Sequence, residues 1–473
     1  MGRSFARLFC FVNRARGLRK YLIVAGRSIA NSARAENLVE EGEMIAKMIA
    51  TLLFTFGTVV ASTHPPLARS IEPLPVIELR QASLVSLPGG RDGSGRIHGI
   101  DCNSPAEWDS AGNLFVFTSS QWPYRSSGSS LFDLTFPASP VTIWPRADVR
   151  GGQWIEATYR ADDGALYGWY HNEPPGLCGG GSRLTAPRIG ALVSRDDGLT
   201  WQDLGIVLDA PPGSLYCDTR NFFFAGGNGD FSVILDLSGR YFYFFISTYH
   251  RQFGEQGVAV ARMSFDDRDD PAGKVWKWRD GGQSGQGGQS GWTEPGLGGR
   301  VTTTFPALVD WHRVNANAFW GPSVHFNTHL GTYVMLLNHA VDKDWAQEGI
   351  YISFNSNLED PLAWSAPQRL PIYQQLGWYP QVIGPDGGET DKLAGQVARL
   401  FISGRSLWEI VFHRTDNNEE EDLQIPSRPS PRGRGVPIAR ETLREGAKEP
   451  SPIDFLRRRR PETPDQRPRR NGQ

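Results

Sequence analysis

The run Ser194-Arg195-Asp196-Asp197-Gly198-Leu199-Thr200-Trp201 constrains this chain more than any other stretch. In Ser-x-Asp-x-Gly-x-Thr-Trp the Ser194 and Asp196 side chains can bond the backbone of their own turn. Gly198 tolerates positive φ, and Trp201 can fold back between neighbouring sheets. Residues suited to strands flank the run, Ile189 to Val193 before it and Leu204 to Leu208 after it. The expectation is a β-hairpin whose tryptophan belongs to an inter-sheet core, with Asp196, Asp197 and Trp201 in structural roles.

From Asp101 onward one pattern recurs: an extended segment near a Pro or Asp, a Gly-containing turn, an aromatic-rich strand, and a later strand ending in an Asp- and Trp-bearing turn. Recurrence at this spacing calls for a repeat fold. Blade one is read from Asp101 through Leu114–Phe117 to Ile143-Trp144, and blade two from Trp154 to Leu208. Blade three starts at Gly229-Asp230, blade four at Trp320-Gly321-Pro322-Ser323 and blade five at Trp378-Tyr379. The expectation is an all-β chain, a five-bladed β-propeller of four-stranded antiparallel blades over residues 76–413, closed by an extra strand from Val76 to Leu87. The 53 glycines, 33 prolines and 15 tryptophans suit many short strands and turns better than a helical protein.

Met44 to Ala61 reads as a signal peptide, with Lys47 ahead of an apolar run and Val59-Val60-Ala61 as its small-residue exit. Residues 1–43 form a basic leader, outside the translated protein if synthesis starts at Met44 or Met48, and residues 62–75 a linker. The run is too short for a stable membrane span. A secreted or periplasmic location follows, and export would permit a disulfide. Of the four cysteines, Cys178 and Cys217 bracket one hairpin from Gly/Pro-flanked loops and are the favoured pair. The Gly281–Gly291 stretch, with two Gly-Gly-Gln-Ser-Gly copies, reads as a flexible surface loop, and residues 414–473 as a disordered Pro/Arg-rich tail. A net charge of -2 gives no reason to expect nucleic acid as a partner. Oligomeric state is not legible.

The Ser194–Trp201 run resembles the Asp-box of sialidases and related β-propeller glycan enzymes. The Arg-Ile-Pro signature of sialidases proper is missing from the sequence. Five blades, with Asp101 opening blade one and Asp230 opening blade three, resemble the five-bladed glycoside hydrolase superfamily of arabinanases, β-xylosidases and levansucrase-type enzymes. The resemblance implies a base at Asp101 and a helper carboxylate at Asp230. It departs at the acid, because Trp320 stands before Gly-Pro where those enzymes carry Glu; Glu156 or Glu348 is left for that role.

First strands of propeller blades line the central channel, so polar residues at repeat starts converge there. Glycoside hydrolysis needs one carboxylic acid for the leaving oxygen and one carboxylate for water or the sugar. Asp101, Glu156 and Asp230 are the candidate catalytic residues. Asn103, Trp122, His171, Arg188, Trp320, His325, Trp378 and Tyr379 are candidate substrate contacts, and His339 is a weaker one. The expected partner is a carbohydrate. No cofactor is expected, with calcium left open. The alternative is a non-catalytic carbohydrate- or protein-binding propeller that lacks the family acid.

Overall fold

The computed structural model describes residues 74–91, 93–144, 149–282, 289–372 and 377–415. The expected leader, signal peptide, nearly all of the linker and tail, and the centre of the Gly/Gln/Ser loop lie outside them. The described chain forms five small sheets in a ring, a five-bladed β-propeller. No helix among the described residues is long and apolar enough to cross a membrane.

The aromatic strands form because both faces of each sheet are buried. Phe115 and Phe117 face blade two, while Leu114 and Val116, on the opposite side of the same strand, pack with Ile383 and Phe401 of blade five. In blade three, Phe242, Phe244 and Ile246 pack toward blade two and Tyr243 and Phe245 toward blade four. Side chains alternate along a strand, so a continuous apolar run is what a doubly covered strand requires. Each gap between adjacent blades holds its own apolar cluster, and the ring has no single centre of hydrophobic packing.

Around the Ser194–Trp201 turn, Gly198 N–H donates to Ser194 Oγ at 2.9 Å, and Thr200 N–H to Asp196 Oδ1 at 2.9 Å. Asp197 and Gly198 take φ of 56° and 79°. Trp201 is buried, its Nε1–H on Gly198 O at 3.0 Å and its ring edge-on to Phe117.

Blade one comprises Ala106–Trp108, Leu114–Ser120, Trp122–Gly128 and Ser139–Pro140. Ile143 and Trp144 do not belong to it, contrary to the sequence reading. Thr142–Trp144 runs parallel to Thr200–Gln202 and extends blade two, since the loop from blade one crosses to its neighbour's open edge. Val76–Ser86 pairs antiparallel with Arg405–His413, so the last blade takes its outermost strand from the start of the described chain. Cys178 and Cys217 form a disulfide, and Cys102 is free and buried.

Candidate functional site

Three inner strands break their register at the same level. In blade two the pairing shifts between Ile155 and Ala157, in blade three between Gly229 and Phe231, and in blade four between Trp320 and Ser323. A bulge takes one residue out of the alternation and re-aims it. The residues so released are Glu156 and Asp230, and in blade four Gly321 and Pro322. The bulge lets Ile155 and Ala157 each join an inter-blade core while Glu156 turns to the channel.

Glu156 and Asp230 line one cavity of about 150 Å³ with Asp101, His171, Glu173, Ser120, Gln121, Trp154, Phe223, Phe224, Trp345, Trp378 and Tyr379. Six described non-glycine residues have positive φ, and four of them, Gln121, Asp230, Trp345 and Tyr379, are in this wall. Unfavourable backbone concentrated at one cavity marks a place where side-chain direction outweighs local stability.

His171 stands across the strand pair from Trp154. Its Nε2 meets Glu173 Oε1 at 3.3 Å, and its Nδ1 lies 3.5 Å from Glu156 Oε1 and receives the Asp230 backbone N–H at 3.1 Å. Glu156 Oε2 accepts the Phe231 N–H at 2.8 Å. Asp230 accepts hydroxyls from Tyr249 at 2.5 Å and Tyr379 at 3.1 Å. Burial pushes the Glu156 carboxyl up to about 8, the Asp230 charge adding to the rise while His171 opposes it. Asp230 is raised as well, by burial first. Burial disfavours charge on His171, but the Glu173 hydrogen bond and the Asp230 and Glu156 carboxylates overcome it and lift the imidazole to about 9. The Asp230 N–H donates to Nδ1, the nitrogen that faces Glu156, so this contact works against a proton there and leaves Nε2, toward Glu173, as the ring's donor. Burial favours the protonated form of the Glu156 carboxyl.

One ligand atom each from Glu156, His171 and Asp230 lie within 4.8 Å of one another, a donor set of two carboxylates and an imidazole that could hold a metal ion. Nδ1 already receives Asp230 N–H and Nε2 meets Glu173, so an ion bound through His171 would displace one of these contacts.

Of the residues expected at the site, Asp101, Glu156, Asp230, His171, Trp378 and Tyr379 come together. The others do not. Trp320 is fully buried, 4.5 Å from the Trp345 ring and packed on Trp378 and Tyr379, so it backs the wall instead of forming it. His325 lies between blades four and five against Phe412, and burial pushes it down to about 3. Asn103 ties the blades together, its Nδ2 donating to Phe231 O and Pro322 O. Arg188 donates to Asn172 Oδ1, and Trp122 is exposed outside the cavity. Glu348 is not an acid: burial raises its carboxyl, but Tyr351 and His339 hydrogen bonds and Arg369 hold it below the usual range, away from the cavity. That contact also accounts for His339.

The sequence reading missed Glu173, Trp154 and the loop aromatics Phe223, Phe224 and Trp345. Glu173 was within reach of it, sitting two residues beyond His171 on the same strand. Residues 209–227 carry Phe223 and Phe224 and are fastened to blade two through the Cys178–Cys217 disulfide and Ala225 N–H on Thr185 O.

No protein-family profile matches this chain, and no curated protein sequence matches it. Among solved structures it is similar to an exo-β-1,3-galactanase from Phanerochaete chrysosporium, at 14% identity and TM-score 0.39, over 72% of this chain and 65% of that one. It is also similar to an endo-arabinase from Bacteroides thetaiotaomicron, at 12% identity and TM-score 0.42, over 67% and 94% of the two chains. An arabinanase from Bacillus subtilis gives 12% identity and TM-score 0.37, over 66% and 94%. The chain thus spans less than two thirds of the galactanase's length. Likeness at this level carries nothing about activity, and the architecture rests on the chain's own sheets.

Proposed function

We propose that this chain is an exported glycoside hydrolase acting on one terminal sugar of a glycan or glycoside. One observation carries the reading: carboxyls from the starts of three blades share one small cavity, and burial favours the protonated form of one of them, Glu156. In this reading Glu156 gives that proton to the leaving oxygen. Asp101, less buried, takes a proton from the attacking water, and exchange with solvent returns one to Glu156 at the end of the cycle. Asp230 and Glu156 have oxygens within 4.8 Å, too close for a sugar and a water between them, so Asp230 serves as a helper carboxyl beside the acid. A space of about 150 Å³ is the size of one ring, which favours action at an end.

The disulfide supports export, and the hydrogen bonds of Ser194–Trp201 support reading that turn as an Asp-box. A binding propeller is the second reading, favoured by Glu156 being only 2% exposed and already engaged by Phe231. The test is hydrolysis of aryl glycosides and oligosaccharides by the full chain beside Asp101→Asn and Glu156→Gln. Turnover lost in both variants supports the enzyme. Sugar binding without turnover in all three proteins supports the binding module.

A further inference from the structure

The cavity wall is uneven in charge and in hydrogen-bonding character. Asp101, Glu156, Glu173 and Asp230 bring four carboxyl groups, and His171 is the only basic side chain facing them; among the described residues no Lys or Arg lines the space. The wall is therefore rich in acceptors. Ser120 and Gln121 bring neutral donors; of the others, the Tyr379 hydroxyl is committed to Asp230, and the His171 Nε2 edge to Glu173. A neutral sugar hydroxyl brings one donor and acceptor lone pairs together, whereas an ammonium group brings three donors and no acceptor. Apart from Ser120 and Gln121, the remainder of the wall is aromatic, with Trp154, Phe223, Phe224, Trp345, Trp378 and Tyr379 around the carboxyls. Rings combined with carboxylates are the surroundings in which a desolvated cation is most at ease.

Resting on the glycan reading above, we infer that the sugar this cavity selects carries a free amine and binds as its ammonium form. The amine sits toward Glu173 and Asp101, the two carboxyls least withdrawn from solvent; the Glu173 side chain keeps 31% of its exposure. The buried pair Glu156 and Asp230 is left to the far side of the ring. Trp154 Nε1–H, buried and without a partner, is one donor open to a sugar hydroxyl. The same wall repels uronic and sialic acids, whose carboxylates would meet four acids and no guanidinium.

The experiment is calorimetric titration of the full chain at pH 7 with matched sugars in gluco, galacto and manno configuration. Each is offered as the 2-amino sugar, its N-acetyl derivative, the neutral parent and the uronic acid. Alongside runs hydrolysis of the corresponding aryl glycosides. The expected result is one amino sugar binding at least about tenfold more tightly than its neutral parent and N-acetyl forms, with no uptake of the uronic acid. Glu173→Gln is expected to reduce that ratio. Neutral or N-acetyl sugars binding or turning over as well as the amine would overturn the inference while leaving the glycan reading intact. Binding of no sugar of any charge would overturn both.

Discussion

Replacing Glu156 by glutamine is expected to remove one component of stability that falls as pH rises. In the folded protein this carboxyl is pushed from 4.5 up to about 8, while in the unfolded chain it titrates normally. Between those values the folded state holds more protons than the unfolded state, so stability falls as pH rises. The contribution is intact below the unfolded value and has been lost once pH passes the folded one. At about 1.4 kcal/mol per pH unit, the span from 4.5 to about 8 amounts to at most about 5 kcal/mol, an upper figure because His171 can share the proton. His171, raised from 6.5 to about 9, acts in the same direction but only above pH 6.5. Buried neutral His325, pushed from 6.5 down to about 3, has the opposite slope below pH 6.5, so the Glu156 contribution is read as the difference between wild type and variant, in which the histidines cancel. The replacement amide keeps a carbonyl oxygen for the Phe231 N–H, so the bulge should survive the change. Urea unfolding followed by tryptophan fluorescence at pH 5, 6.5, 8 and 9 would show the wild type losing stability relative to Glu156→Gln from pH 5 to 8, with little further change in the difference at pH 9. An equal change in both proteins from pH 5 to 8 would refute the claim that burial raises the Glu156 carboxyl.

A methyl group on Gly229 would lie 2.6 Å from His171 Cε1 and 2.7 Å from Nδ1; Gly229→Ala is expected to cost about 1–3 kcal/mol as overpacking, measured by urea unfolding, and to abolish ligand binding by calorimetry. Tyr249→Phe removes one of the two hydroxyls on Asp230 and should cost about 1.5–3 kcal/mol, read by the same unfolding assay. Opening the disulfide with Cys178→Ser and Cys217→Ser frees a link between residues 39 apart, with an expected loss of about 4 kcal/mol from chain entropy. New proteolytic cuts within 209–227 and weaker ligand binding should accompany it.

The blades were legible because strands buried on both faces must be apolar throughout, and runs such as Leu114–Phe117 and Tyr241–Ile246 say so without alternation. The channel carboxyls were legible because a lone Glu between Ile155 and Ala157 is costly without a role. The bulges that aim Glu156 and Asp230 leave no composition signal; each is a shift of pairing, visible only when the partner strand is known. Trp320 deceived for a related reason. Its place at the start of an inner strand matched the other site residues, but the register shift after it, with Trp345 pressed against it, puts its ring behind the wall. Phe223, Phe224 and Trp345 lie in connections with no period to read, and what places them is a disulfide and contacts from distant blades.

The pairing of Val76–Ser86 with Arg405–His413 joins residues such as Glu78 and His413, 335 positions apart. During synthesis the first of these strands emerges long before its partner exists, and it waits as an unpaired edge through the making of four blades. The last sheet, and with it the Tyr379 side of the cavity, can be completed only when the final strand has left the ribosome. Contacts this remote make folding slow. A ribosome stalled shortly before Arg405 would therefore hold a chain with most of its blades built and no working pocket.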